Sequence, residues 1–248
     1  MDRSRTIDRF PFMAETFLVD KNGRLRPTTL CNYMLSCAGR HAEARGFGAT
    51  ETLGWVLARM ALHIRRNPMW RERFYVETWV RNIYHGFTDR CIRVVDEAGA
   101  EIASMLTTFA MIDLKTRSSV DLNGDIGLRL NECINPDEQL AIKRIPSISR
   151  VAVEAVAFRH RPQYSDVDIN GHMNSIRYLD HLLDHFPVEY VNSHNLTDFV
   201  VAYMKEGDAD EELAFGIKEL GEDRYLVQVT KENGVVAMRA EMGFAPAE

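Results

Sequence analysis

Side chains suited to proton transfer and substrate orientation recur at every second residue in one short segment of this 248-residue chain. They are Asp168, Asn170 and His172, and Gly171 beside them permits a sharp turn of the backbone. In an extended loop all three would point to one side, so that an acid, an amide and an imidazole would share one site. This spacing favours general acid–base chemistry, in which imidazole is the commonest proton carrier.

A helical pattern follows the segment directly. Over residues 175–186 the apolar side chains form one stripe with polar side chains opposite, and Pro187 ends the pattern. The N-terminus of a helix offers unpaired N–H groups and a partial positive charge, which suit an oxygen that becomes negative during a reaction. We therefore expect backbone N–H groups near Gly171 and the helix start to act as oxyanion donors.

Two simpler interpretations of the segment compete with a catalytic loop. Asp166, Asp168 and Asn170 match the first half of a calcium-binding loop, but the twelfth position needs a glutamate and here holds Arg177. The second alternative is a turn that only caps the helix, because Asp and Asn favour such turns through local hydrogen bonds. The motif alone leaves this second alternative open.

A further carboxylate is singled out by its strand pattern. Val200, Ala202, Met204 and Glu206 alternate along one face, where a charge is costly unless it is paired or used. The opposite face is apolar as well, so an ordinary solvated strand end remains the alternative for Glu206.

Metal-ligand spacing occurs in the helix, where His181 and His185 lie four residues apart. No third ligand is apparent, so we interpret both as solvated side chains on the polar face. All four cysteines lie in the first half without a CxxC spacing, and we expect them to be reduced and structural.

The same order of elements, one strand, one helix and then several strands, occurs twice along the chain. Each repeat would form a sheet wrapped around one helix, which covers the inner face of the sheet. Strand-like runs are predicted at 11–19, 55–63, 74–80, 91–95 and 102–112, and again at 151–158, 199–205, 213–217, 225–230 and 235–244.

A short echo of the polar segment precedes the first helix. Residues 20–24 repeat its Asp, Asn and Gly, but Arg24 stands where the second copy has His172. Because a guanidinium stays protonated at working pH, the first copy lacks a proton-transfer group. We predict a single catalytic site, in the second half.

Several motifs together resemble the acyl-acyl carrier protein thioesterases of plants and bacteria. In that family the second domain carries Asp-x-Asn-x-His before a helix with Asn-x-x-x-Tyr, which 168–172 and 174–178 match. The first domain is similar at 53–60 and 76–80, and the family's Tyr-x-x-Glu element, which supplies a catalytic Glu, appears at 203–206.

The resemblance implies an α+β fold of two tandem hotdog domains, each an antiparallel sheet wrapped around one long helix. We expect an N-terminal domain over 1–130, a linker over 131–150 and a C-terminal domain with the catalytic residues over 151–248. The first domain would supply the acyl-chain pocket, with these candidate contacts: Trp55, Met60, Trp79 and Met105. Plant members have a Cys after the catalytic Glu, whereas Gly207 here excludes a cysteine nucleophile at that position.

The reaction implied is hydrolysis of fatty acyl-acyl carrier protein to free fatty acid and holo-acyl carrier protein. Asp168 or Glu206 would activate water, or Asp168 would attack directly, while His172 transfers the proton and Asn170 orients the substrate or the base. No metal or organic cofactor is required, and no GxSxG elbow supports a serine mechanism. Alternatives are an acyl-coenzyme A thioesterase, another hotdog enzyme such as an enoyl-thioester hydratase, or a non-catalytic acyl-binding protein.

Composition and charge limit the classes of partner that the protein is expected to bind. The formal net charge of −6 argues against nucleic-acid binding, and charges interrupt every apolar run before the roughly 20 residues that cross a bilayer. Basic clusters around Trp70 and at Lys143, Arg144, Arg159 and Arg161 are either solvated surface or docking sites for an acidic carrier protein. Strand-like sequence begins soon after Met1, so we expect a cytoplasmic protein without a targeting peptide. Whether it forms a homodimer is left open.

Overall fold

The computed structural model describes residues 6–122, 124–136 and 138–247. Internal contacts divide the chain into two compact units, Met1–Ile145 and Pro146–Glu248. The division falls inside the segment for which the sequence predicts a linker. Each unit contains five strands and its own buried side chains, which is the arrangement expected from the repeated order of elements.

In the described residues, the first unit consists of a five-stranded antiparallel sheet and two α-helices. The strands lie in the order β1, β3, β4, β5, β2, and each pair of neighbours is antiparallel. Their bounds are β1 Asp8–Met13, β2 Leu53–Ile64, β3 Arg73–Tyr84, β4 Phe87–Asp96 and β5 Glu101–Asp113, and the helices are α1 Pro27–Ala44 and α2 Asp125–Glu132.

Helix α1 packs its apolar stripe against β3 and β4. Leu30, Met34, Cys37 and Ala38 recur at intervals of three or four residues and are buried, which is the signature of a helix with one face on a sheet. Pro27 begins the helix, where its fixed φ is favourable and its missing N–H costs nothing. Packing of α1 therefore anchors the turn at residues 20–24 that precedes it.

The side chains suggested as pocket walls belong to the core of the first unit. Met60, Trp79 and Met105 are fully buried, and Trp55 is half-buried with its indole N–H donated to the Phe47 carbonyl at 2.8 Å. Such packing is ordinary for these residue types. Contact with an acyl chain therefore stays a prediction. The four cysteines are buried as well, and burial raises the pKa of Cys37 and of Cys91 to about 12, which makes these thiols inert.

A buried imidazole and a buried guanidinium lie side by side in the first unit. His41 and Arg90 are 0% and 4% exposed, and Arg90 Nη1 lies 3.0 Å from His41 Nδ1. Burial and the adjacent Arg90 cation lower the pKa of His41 to about 3. The ring is therefore neutral near pH 7. Its Nε2 can donate to the Thr6 carbonyl at 3.2 Å while Nδ1 accepts from Arg90.

We expect His41 to make the stability of this unit depend on pH. Its folded pKa lies below the unfolded value of 6.5, so the unfolded chain binds the extra proton and stability is lost as the pH falls from 6.5 toward 3. Between pH 7 and pH 5 this loss is about 2 kcal/mol. The difference between the urea midpoints at the two pH values should therefore shrink in His41→Gln. An unchanged difference would contradict the assignment.

In the described residues, the second unit repeats this plan with shorter helices. Its antiparallel strands lie in the order β7, β10, β9, β8, β6. Their bounds are β6 Val156–His160, β7 His194–Tyr203, β8 Leu213–Gly221, β9 Arg224–Lys231 and β10 Val236–Pro246, and the helices are α3 Arg177–His185 and α4 Val188–Ser193.

Helix α3 buries Tyr178, Leu179 and Leu182. The Tyr178 ring lies 6.1 Å from that of Phe215 in β8 and 5.9 Å from that of Tyr203 in β7, measured between centroids. The helix ends before Phe186, whose extended backbone is the conformation favoured ahead of a proline. At 9 residues α3 is half as long as α1, with 18.

Some sequence-based boundaries were wrong. The run 11–19 is strand only to Met13 and continues as a short 3₁₀ helix, Thr16–Leu18, and the run 151–158 becomes strand only at Val156. Helices α2 and α4 were missed, because each is too short to show a clear 3.6-residue period. None of the helices within the described residues has the length and apolar composition needed to cross a membrane.

Candidate active site

Asp168 holds the polar segment in a tight turn, so the expectation of an extended loop was wrong. Its Oδ1 accepts the backbone N–H of Asn170 at 2.8 Å and that of His172 at 3.4 Å, and its carbonyl accepts Gly171 N–H at 3.0 Å. Gly171 adopts φ +80°, a conformation that favours glycine. The side chain of Asp168 thus competes successfully for backbone donors that an extended strand would leave unpaired.

The first unit contains the same turn at residues 20–24. Asp20 Oδ1 accepts the N–H of Asn22 at 2.8 Å and that of Arg24 at 2.9 Å, and Gly23 has φ +77°. Arg24 also donates Nε–H to Asp20 Oδ2 at 2.9 Å. The two turns lie 148 residues apart (20 and 168, 24 and 172) and share their backbone bonding. The turn is therefore structural in both units, and the difference between them is the guanidinium or imidazole at its end.

His172 lies beside two carboxylates in the second unit. Its Nε2 is 3.6 Å from Glu206 Oε2 and 3.8 Å from Asp208 Oδ1. A β-bridge between His172 and Asp208 brings the two segments together. The Nδ1 atom is buried and has no hydrogen-bond partner within the described residues. These separations exceed a hydrogen bond, but catalytic contacts are often long before substrate binds.

A lysine fixes the charge of one of these carboxylates. Lys231 Nζ lies 2.9 Å from Asp208 Oδ2 and 2.8 Å from Glu211 Oε2, and it donates to the Glu206 carbonyl at 3.0 Å. The hydrogen bond from Lys231 lowers the pKa of Asp208 below its usual range. Asp208 therefore remains ionised and stabilises a positive charge on His172. The sequence reasoning missed Asp208 and Lys231, since they come from a loop and a distant strand.

Gly207 is required by the packing of Tyr178. A Cβ atom at this position would lie 2.5 Å from the Tyr178 hydroxyl oxygen and 3.1 Å from a methyl carbon of Leu213. Burial raises the pKa of Tyr178 above its usual range, so the phenol is neutral. Packing thus excludes a cysteine at this position of the chain on steric grounds.

Gly207→Ala is expected to destabilise the second unit by about 1–3 kcal/mol, because the added methyl group overpacks a filled site. Tyr178→Phe removes the nearest atom, so the double variant should recover part of the loss relative to the sum of the single changes. Urea unfolding of the four proteins measures this coupling. Strict additivity would show that the hydroxyl is not the obstacle.

Backbone N–H groups near Gly171 are not available as oxyanion donors, contrary to expectation. Seven of the eight from residue 170 to residue 177 already donate to acceptors in the unit. These are the N–H groups of Asn170, Gly171, His172, Met173, Asn174, Ile176 and Arg177. The remaining N–H belongs to Ser175 and has no acceptor within the described residues. The Asn174 carbonyl, which shares a peptide group with the Ser175 N–H, accepts the Arg177 N–H at 3.0 Å, and this bond fixes the peptide. The following carbonyl, that of Ser175, accepts the Tyr203 hydroxyl at 2.6 Å.

The first unit lacks this donor. At the 148-residue spacing of the two turns, Ser175 corresponds to Pro27, which begins α1 and has no N–H. The residue before it, Arg26, has φ −60° and ψ 137°. The first unit therefore lacks both the imidazole and the free backbone donor that the second unit places three residues apart.

Asn170 does not join His172 in the cluster. It lies at the exposed tip of the turn, next to the fully exposed Ile169, and only its backbone N–H makes a bond within the described residues. The structure thus brings His172 and Glu206 together, uses Asp168 to hold the turn, and leaves the Asn170 side chain at the surface.

The solvated interpretation was wrong for His181, whose Nε2 lies 2.9 Å from the buried carboxylate of Asp166. His185 is exposed, as expected, and its ring stacks on Phe158 with centroids 5.0 Å apart. Sequence spacing could not reveal Asp166 as a partner, because it belongs to a separate 3₁₀ helix, Tyr164–Asp166.

Known proteins match both halves of the chain. A family model described as the acyl-ACP thioesterase N-terminal domain matches residues 11–128, and one described as the C-terminal domain matches residues 152–245. The oleoyl-acyl carrier protein thioesterase 1 of Arabidopsis thaliana, a chloroplastic protein, is 25% identical over 219 residues. The match covers 81% of this chain and 60% of the Arabidopsis protein.

Solved structures agree in fold. An acyl-ACP thioesterase from Bacteroides thetaiotaomicron is 38% identical, with a TM-score of 0.89 over 99% of this chain and 100% of that one. The 12:0-ACP thioesterase from Umbellularia californica is 20% identical, with a TM-score of 0.87 over 98% of each chain, and shows the fold alone. The expected α+β fold of two tandem hotdog domains is confirmed. By these matches along both halves, the chain belongs to the acyl-ACP thioesterase family.

Proposed function

We propose that this protein hydrolyses the thioester of a fatty acyl-acyl carrier protein to a free fatty acid and the holo-carrier protein. The observation that carries the proposal is the pair formed by His172 and Glu206, 3.6 Å apart, in a chain of this family. The first unit holds Arg24 at the position of His172, and this supports a single site in the second unit. The enzyme is thus a thioester hydrolase without need of an organic cofactor.

His172 and Glu206 together activate the attacking water. Glu206 stabilises the positive charge that develops on the imidazole, while Nε2 takes the proton from water as the water oxygen attacks the thioester carbonyl. Collapse of the tetrahedral intermediate breaks the C–S bond, and the imidazolium returns the proton to the thiolate. The ionised Asp208, 3.8 Å from the same nitrogen, also stabilises the imidazolium. Asp168 orients His172 through the turn and is not assigned the nucleophilic role.

The Ser175 N–H stabilises the oxyanion of the tetrahedral intermediate. Support comes from its lack of an acceptor among the described residues, from the bond between the Asn174 carbonyl and the Arg177 N–H that orients its peptide, and from its place just before α3. Each such donor is typically worth about a hundredfold to a thousandfold in rate. Asn170, at the exposed tip of the turn, is assigned a contact with the pantetheine arm of the substrate.

Docking of the acidic carrier protein is assigned to exposed basic residues. Arg66 pairs with Glu72 at 2.8 Å and Arg159 pairs with Glu212 at 3.3 Å. These ion pairs partly neutralise the two arginines, which makes them weaker binding sites for an acidic partner. Lys143 and Arg144 are exposed, and neither forms an ion pair within the described residues. A cytoplasmic location and the presence or absence of a homodimer stay predictions of the sequence.

The test compares free-fatty-acid release from matched acyl-acyl carrier protein and acyl-coenzyme A substrates over a range of chain lengths. We expect a higher kcat/KM on the carrier substrates, because only they offer an extended acidic protein surface for Lys143 and Arg144. Equal rates on coenzyme A substrates would replace the proposal with a general thioesterase. Binding of both substrates without release would show a non-catalytic acyl-binding protein.

A further inference from the structure

Two imidazoles and a buried carboxylate converge in the second unit, apart from His172. His160 Nε2 lies 2.7 Å from Asp166 Oδ2, and His181 Nε2 lies 2.9 Å from Asp166 Oδ1. One ligand atom from each residue falls within 4.8 Å of the others, and Asp166 is 3% exposed. Two imidazole nitrogens thus lie against one carboxylate, each beside a different oxygen.

Three different elements hold this cluster in place. His160 ends β6, Asp166 ends the 3₁₀ helix and His181 lies in the middle of α3. Asp166 Oδ2 also accepts the Gln163 N–H at 2.8 Å, and its carbonyl accepts the Asn174 N–H at 2.8 Å. The donors are therefore oriented before any ligand arrives.

The hotdog fold does not require polar residues at this place. At the 148-residue spacing of the two turns, the three positions correspond to Phe12, Leu18 and Tyr33 in the first unit. The rings of Phe12 and Tyr33 lie 4.2 Å apart between centroids, and those of His160 and His181 lie 3.7 Å apart. The same contact is apolar in one unit and consists of metal-ligating residue types in the other. A function other than packing accounts for the difference.

We propose that His160, Asp166 and His181 bind a divalent transition-metal ion, with Zn²⁺ as the best match. Two imidazole nitrogens and one carboxylate oxygen are a ligand set that suits zinc, with a water molecule as the fourth ligand. The two imidazoles are 18% and 21% exposed, which gives such a water access.

The distances between the imidazole nitrogens and the Asp166 oxygens are close to those between two ligand atoms of a bound ion. Ligand atoms about 2.0–2.1 Å from a tetrahedral zinc lie about 3.3 Å from one another, so the cluster opens by about half an ångström. Burial opposes ionisation of Asp166, but hydrogen bonds from the Gln163 N–H and both imidazoles outweigh it and lower its pKa. The Gln163 N–H remains as an outer partner that orients the ligating carboxylate.

The ion would act by tying β6, the 3₁₀ helix and α3 together behind the turn that carries His172. Asp166 lies two residues before Asp168, and its carbonyl holds Asn174, which directly precedes Ser175. This role is separate from the hydrolytic step, so the inference stands independently of the proposed function.

The test measures metal binding by the full chain, first freed of metal with a chelator. Zn²⁺ is titrated by calorimetry and Co²⁺ by its visible absorption, which reports ligand type and geometry. We expect one ion per chain in the wild type, with a tetrahedral Co²⁺ spectrum and a raised thermal midpoint. His181→Gln and His160→Gln should each weaken binding by more than the roughly 10–100-fold that loss of an outer partner costs.

Matched controls separate this site from the other histidines. His185→Gln alters the same helix one turn away and should bind as the wild type does, and His172→Ala should do so as well. The double variant His160→Phe/His181→Tyr copies the pair in the first unit, and it should fold and bind no ion. Absence of one-to-one binding in the wild type, or binding that survives in this double variant, would overturn the proposal.

Discussion

Fatty-acid release falls by about a hundredfold to ten-thousandfold in His172→Ala, because the variant has no group that carries the proton from water to the thiolate. The side chain is 24% exposed and lies at the end of a turn that Asp168 holds through backbone bonds, so the fold should survive. Steady-state release from an acyl-carrier substrate and the thermal midpoint measure the two effects. The loss should appear in kcat, since the imidazole acts on the reacting atoms.

Matched variants identify the partner of the imidazole. Glu206→Gln keeps the shape of the side chain and removes its charge, and we expect a loss close to that of His172→Ala. Asp208→Asn should cost less, because this carboxylate is shared with Lys231 at 2.9 Å. His185→Gln changes a histidine remote from the turn and serves as the reference. Near-wild-type turnover in His172→Ala would remove the imidazole from the mechanism.

Much of the fold could be predicted, because apolar residues recur with the period of a strand or of a helix along most of its longer elements. Alternating apolar residues marked the longer strands of both units, and the stripe from Leu30 to Ala38 marked α1. The second copy of strand, helix and strands pointed to two similar units. Short elements such as α4 escaped, since six residues give less than two helical turns.

The sequence names candidate residues for the site, but it does not give the contacts between them. His172 and Glu206 meet as expected, yet the partners Asp208 and Lys231 come from tertiary contacts that no spacing shows. The extended loop failed because the Asp168 carboxylate closes a turn on its own backbone. The turn shows the local Asp hydrogen bonds that the second alternative assumed, but no side chain among the described residues caps the N-terminus of α3. The catalytic role of the segment stays a prediction.

Comparison of the two units distinguishes the residues that the fold requires from those that are specific to the second unit. The aspartate and glycine of the turn are present in both units with the same hydrogen bonds, so the fold requires them. Three features are confined to the second unit: the imidazole in place of Arg24, a backbone N–H in place of Pro27, and the cluster of His160, Asp166 and His181. These three features of the second unit are not needed for the fold, and we therefore attribute them to function.

Ser175→Pro removes a single N–H group and is expected to lower kcat by about a hundredfold to a thousandfold with little change in KM. The donor acts on an oxyanion that exists only after water attacks, so its loss affects the transition state and not substrate binding. Proline is compatible with this place in the fold, because Pro27 begins α1 after a residue with extended backbone. The carbonyl that accepts the Tyr203 hydroxyl is retained.

Ser175→Ala is the matched control, since it removes the hydroxyl and keeps the N–H. We expect it to retain most of the activity, and both variants should unfold near the wild-type temperature. Pro27 shows that a hotdog unit folds without an N–H group at this position. A Ser175→Pro enzyme that folds but has a low kcat would therefore show that loss of the N–H donor causes the lower rate. Equal activity of the proline and alanine variants would place the oxyanion donor elsewhere, and an equal loss in both would assign the effect to the hydroxyl.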